Sequence, residues 1–123
     1  MKRTMAVAAL LVGSCAVPQL EPQGPPIELA GRIAGPPQRC VPIDQMSALR
    51  ISETDRHTLL YGNGRIIWAN RLGPHCGFRA DDILITEPLG SSHCRGDIVR
   101  SIDRTSHIPG PACIFSDFVP YRR

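Results

Sequence analysis

No run of about 20 apolar residues, the length that ~30 Å of hydrocarbon demands, occurs in these 123 residues, and a membrane-spanning helix is therefore not expected. Aromatic side chains are scarce: one Trp, two Tyr and three Phe, all of them beyond Cys40. No segment from Cys40 onward holds a sustained helical period, and "ISETDR" and "FRADD" could each form a single turn at most. Basic residues are scattered, without the clustering and aromatic interleaving of a nucleic-acid face, so nucleic acid is excluded as a partner. No G-x-S-x-G elbow frames Ser92, His93 and Asp97 as a nucleophilic triad. Gly62-Asn63-Gly64 lacks the lysine and following helix of a phosphate cradle. Asp81-Asp82 are adjacent acids that splay into solvent rather than share a proton. With no site assembled, neither an enzyme nor a cofactor is expected.

What is present begins with a short apolar run. Lys2 and Arg3 precede the uncharged "MAVAALLV", which narrows to Gly13 and Ser14 just before Cys15. A positive start, a short apolar stretch and small residues make an export signal. Among such signals "VGSC", Val12 to Cys15, resembles the lipobox of bacterial lipoproteins, in which an aliphatic residue and two small ones precede the lipidated cysteine. That resemblance implies removal of residues 1–14 and attachment to a membrane through lipid on Cys15. With Ala16 next, and no aspartate as a retention signal, it implies the outer membrane, facing the periplasm. Residues 1–14 carry Lys2 and Arg3 and no acid, so most of the net charge of +3 belongs to the signal.

Residues 15–39 follow as a Pro/Gly-rich tether, holding six of the 12 prolines and no aromatic, too little apolar surface to offset the entropy of ordering. A short helix over "PIELAGRIA", packed on the domain, is the alternative. Residues 40–123 are the domain. A core this small is marginal, and Cys40, Cys76, Cys94 and Cys113, an even number in an exported chain, read as two disulfides that staple it. Four cysteines allow three pairings. Chain position favours Cys40 with Cys113, joining the start of the domain to its last strand, and Cys76 with Cys94, closing the loops around "DILITE". Strand signals dominate: "SALRIS", "HTLLYGNGRIIWAN", "DILITE", "DIVRSI" and "ACIFSDF". The second is a hairpin whose Asn63-Gly64 suits a two-residue type I′ turn. Short strands separated by Gly, Pro and Ser turns predict an all-β fold, a small antiparallel barrel or sandwich.

The Cys40-Val41 start, "DRHTLL" (Asp55–Leu60), Cys76 after the hairpin, "CRGDIV" (Cys94–Val99) and "CIFSDFVP" (Cys113–Pro120) together resemble a family of small bacterial envelope proteins and lipoproteins with one four-cysteine β domain. The resemblance spans roughly Cys40 to Pro120 and implies that architecture. The family has no established activity to carry over.

The His75-Cys76 and His93-Cys94 pairs raise a Cys2His2 zinc site. Zinc ligands usually come from residues two to four apart, and neighbours in an extended chain point apart, so no metal is expected and both histidines are placed on the surface beside disulfides. "RGD" at Arg95 to Asp97 reads as a turn at Gly96 into "DIVRSI", with Asp97 bonding the backbone. In "RIIWAN", alternation sets Ile66 and Trp68 against Ile67. Trp68 and Tyr61 are therefore candidate partner-binding residues, unless the tether or the "HIPGPA" loop buries both faces. The expected function is a non-catalytic cell-envelope lipoprotein presenting its β domain to an envelope protein partner. The alternative is an inhibitor of an envelope-directed hydrolase such as lysozyme.

Overall fold

The computed structural model describes residues 13–15, 24–45 and 47–123; most of the expected signal segment and the first part of the tether, 16–23, lie outside them. Among the described residues a 3-10 turn, Ile27–Leu29, comes first and every other regular element is a strand. In chain order these are β1 (Ile33–Ala34), β2 (Cys40–Pro42), β3 (Arg50–Ile51), β4 (Thr58–Tyr61), β5 (Ile66–Arg71), β6 (Ile83–Glu87), β7 (Ser92–Cys94), β8 (Ile98–Ile102), β9 (Pro109–Ile114) and β10 (Phe118–Arg122). They form three antiparallel sheets, ordered β1-β10-β5-β4-β3, β2-β7 and β6-β8-β9. The fold is all-β, and its sheets do not close into a barrel.

All three sheets give side chains to one core. Ile51, Leu59, Tyr61 and Phe118 come from the first, Val41 from the second, Val99 and Cys113 from the third, and Phe78 and Phe115 fill from the loops. β5 explains why the first sheet is apolar on both faces. Trp68 pairs with Tyr61 and Pro120 on the main-core side, whereas Ile67 and Ala69 stand on the other side with Leu60 and Tyr121. Leu29, 3% exposed, covers that second face.

The expected tether is corrected by this contact. Its residues from Pro26 onward are part of the domain: Leu29 is buried, β1 pairs with β10, and Gln38 bridges Phe118. The Glu28 carboxylate accepts from Ser52 Oγ at 3.0 Å and from the Glu53 N–H at 2.7 Å. The segment is held through these particular contacts, which low aromatic content and prolines do not reveal. Its "PIELAGRIA" portion is a 3-10 turn followed by a two-residue strand.

The predicted hairpin is present, with Tyr61 opposite Trp68. Its loop is longer than two residues and is not type I′. That turn needs positive φ at both Asn63 and Gly64; here Gly64 is positive at 66° and Gly62 at 87°, while Asn63 is not. A Cβ on Gly62 would come within 3.0 Å of the Ile66 carbonyl oxygen, so this glycine is needed for both its φ and its closeness. "ACIFSDF" is split between β9 and β10. Asn70, 1% exposed, makes the corner: its Nδ2 donates to the Ser116 carbonyl at 2.8 Å and its Oδ1 accepts the Ser116 N–H at 3.0 Å.

The disulfides are Cys40–Cys94 and Cys76–Cys113, which corrects the pairing favoured by chain position. β2 lies antiparallel to β7 with Cys40 directly opposite Cys94, their Cα atoms 4.1 Å apart. Cys113, 1% exposed, points from β9 into the core, where Cys76 reaches it from the loop after β5. Strand pairing between distant segments decided the partners, not order along the chain.

Candidate functional site

With four cysteines paired, Cys15 is the free cysteine among the described residues, and it is exposed. Gly13 and Ser14 beside it are exposed too, whereas Val12 lies outside the described residues. No helix among the described residues is long and apolar enough to cross a membrane.

The two aromatic candidates have different positions. Tyr61, 4% exposed, is a core residue, so its assignment as a partner-binding residue is corrected. Its hydroxyl donates to the Pro42 carbonyl at 3.1 Å and accepts the Asp44 N–H, tying the segment after β2 to β4. Alternation placed it correctly beside Trp68; the covering of both sheet faces is what removes it from solvent. Trp68 is half-buried against the core and, with Ile66 and Pro42, lines a shallow groove of about 320 Å³.

The two histidines separate. His75 is exposed. His93, expected on the surface, is 6% exposed, because β7 turns it inward between the rings of Tyr61 and Phe115, at centroid distances of 5.4 and 5.8 Å. Its Nδ1 is buried and has no hydrogen-bond partner. The cysteines beside both histidines are spent in disulfides, and no cluster of three or more His, Cys, Asp or Glu side chains occurs among the described residues.

Burial disfavours the charged imidazolium and pushes the His93 pKa below its ordinary 6.5, against the smaller opposing effect of Asp97. The unfolded chain therefore takes up a proton before the folded one does. Stability is complete above pH 6.5 and falls as pH drops below it. His93→Gln should remove that loss, so a thermal midpoint measured between pH 7 and 5 should slope in the native protein and flatten in the variant. Asp55 acts in a lower window. Burial alone would raise its pKa, but hydrogen bonds from Thr58 and His57 and the charge of Arg71 hold it below 3.8. Its contribution is present above 3.8 and is lost only in stronger acid.

At "RGD", Gly96 has φ 91° and the Asp97 carboxylate accepts the Cys94 N–H at 2.9 Å, the turn into β8 that the sequence predicts. Asp82 accepts the Arg79 N–H at 3.0 Å, while Asp81 is exposed. Ser92 and His93 alternate on β7, so their side chains point apart.

Two surface features lie outside these motifs. A pocket of about 580 Å³ lies beside the N-terminal segment where it meets the first sheet, lined among others by Pro26, Leu29, Tyr121, Arg71 and Arg95. Arg95 is paired with Asp117 at 3.1 Å. The second feature is the outer face of the β6-β8-β9 sheet. Register places Ile83 beside Ile102, Ile85 beside Arg100, and Ile98 beside both Glu87 and Ile114, an apolar face around one arginine, which pairs with Glu87 at 3.7 Å. Ile83, Ile85 and Ile114 are 39%, 40% and 61% exposed. Alternation in "DILITE" and "DIVRSI" signals this face, but a lone sequence does not say which side is covered.

Compared with known protein families, curated proteins and solved structures, the chain matches none.

Proposed function

We propose that this protein is a non-catalytic lipoprotein of the cell envelope, held by lipid on Cys15 at the outer membrane facing the periplasm, and presenting its disulfide-stapled β domain for binding. The observation that carries this reading is that Cys15 stays free and exposed while the other cysteines pair within the domain, directly after Gly13-Ser14. The exposed isoleucine face supports the binding role, since clustered apolar surface of this kind marks interaction sites more often than isolated side chains do.

Cys15→Ser should move the protein completely from the membrane fraction to the soluble fraction of fractionated cells and abolish the mass added by lipid. Membrane association that survives the substitution would refute the anchor. Cross-linking in intact cells followed by recovery of the protein then tests the binding role; a chain recovered with no saturable partner is a spacer rather than a binding module.

A further inference from the structure

The sheet edges of this protein are not treated alike. An edge strand offers unpaired N–H and C=O groups to any other chain, and soluble proteins blunt such edges with proline, bulges or very short strands. β1 and β3, at the edges of the largest sheet, are two residues each. β2 and β7 are three residues each, and β2 ends in Pro42. β9, one edge of the third sheet, carries Pro109 and Pro111 and a break in register against β8. β6, the other edge of that sheet, has none of these. It runs five residues, Ile83–Glu87, without proline or irregularity. Among the described residues its backbone bonds only to β8.

We infer that β6 is a docking edge at which two copies of this chain pair antiparallel about a two-fold axis through Ile85. The sequence of the strand selects both the partner and the register. Centring on Ile85 sets Ile83 against Glu87 of the second copy and Leu84 against its Thr86, so no like charges are opposed. Centring on Leu84 would leave Thr86 and Glu87 beyond the start of the opposing strand at Ile83 and bring Glu87 towards Asp81 in the turn before it, which is unfavourable. Centring on Thr86 would bring Pro88 into the ladder opposite Leu84, where it has no N–H to donate. A slip of one residue would set outward-facing side chains against inward-facing ones. Arg100 keeps its own Glu87, and the two copies of Arg100 stand three strand spacings apart, about 14 Å. The product is one six-stranded sheet with a continuous isoleucine face.

The test uses full-length chain carrying Cys15→Ser, so that neither lipid nor a Cys15 disulfide can join two copies and failure of the anchor reading is separate from failure of this one. Sedimentation equilibrium should show the mass rising to twice the monomer value as concentration approaches about 1 mM. Ile85→Lys places two cations at the two-fold axis and should weaken association at least about tenfold, with the monomer's thermal midpoint lowered only by the modest cost of a lysine beside Arg100. Ile114→Lys, on the same face but at the blunted edge β9, should leave association unchanged. Without any further substitution, amide exchange at residues 83–87 should slow as concentration rises. A chain that stays monomeric to about 1 mM, amides of β6 that exchange independently of concentration, or an Ile114→Lys effect equal to that of Ile85→Lys would each overturn the proposal, the last in favour of face-to-face association.

Discussion

Replacing Cys76 and Cys113 together by alanine should cost the folded protein about 4 kcal/mol or more, enough to leave most of a marginal domain unfolded at 37 °C. The bond closes a loop of 37 residues, and on the chain-entropy account losing that restraint is worth about 4 kcal/mol. A packing loss adds to it, because Cys113 is 1% exposed and belongs to the core with Val99 and Phe115. Urea denaturation should show the midpoint falling by about 2–4 M at a typical slope for a domain of this size. The paired substitution Cys40→Ala with Cys94→Ala is the informative comparison. It opens a longer loop of 54 residues, but both cysteines are only half-buried and β2 stays hydrogen-bonded to β7. The entropic part should therefore be similar and the packing part absent. Peptide mapping of the unreduced protein should recover Cys40 linked to Cys94 and Cys76 linked to Cys113; finding Cys40 with Cys113 would contradict the fold.

The difference between the pairing that chain order favours and the one the fold adopts shows how far local signals reach. Alternation in "HTLLY", "RIIWAN", "DILITE" and "DIVRSI" locates β4, β5, β6 and β8 because a half-buried strand imposes a period of two on its own residues. Nothing local tells β2 that its neighbour is β7. Cys40 meets Cys94 only because segments 54 residues apart pair. The same limit explains His93. Its sequence neighbours Ser92 and Cys94 are polar or bonded, and its burial between Tyr61 and Phe115 depends on three separate segments converging. For Tyr61 the alternation was legible and the covering was not, since His93 and the segment after β2 reach it from distant parts of the chain; for Ile67 and Ala69 on the opposite face the cover is Leu29, from a stretch whose composition argues against order. Asn70 was invisible for a related reason: one buried amide at a strand end has no periodic signature, yet it fixes the corner at Ser116. The free Cys15 was the most legible candidate, because it rests on residues adjacent in sequence and on the parity of the cysteines.

A chain beginning at Cys40, where composition alone would start the domain, should be far less stable than one beginning at Gly24, by about 4–6 kcal/mol from the apolar surface involved. The shorter chain loses Leu29 and leaves Leu60, 0% exposed, and Ile67, 6% exposed, open to water on the second face of the largest sheet. It also loses the Glu28 carboxylate that accepts from Ser52 and Glu53, the β1–β10 pairing and the Gln38–Phe118 bridge. Thermal denaturation of the two purified chains, both oxidised, separates a tether from a structural segment: equal midpoints would mean that residues 24–39 contribute nothing, and a shorter chain that melts far lower or fails to fold shows that they complete the core. Point substitutions divide the effect. Leu29→Ala should cost about 2–4 kcal/mol by opening a cavity over Ile67 and Ala69, whereas Glu28→Ala should cost about 1–2 kcal/mol through the donors of Ser52 and Glu53 that it leaves unpaired. If Leu29→Ala carries most of the loss, the segment acts as a hydrophobic cover on the sheet. An equal or larger loss in Glu28→Ala would instead make the carboxylate the principal fastening and Leu29 secondary to it.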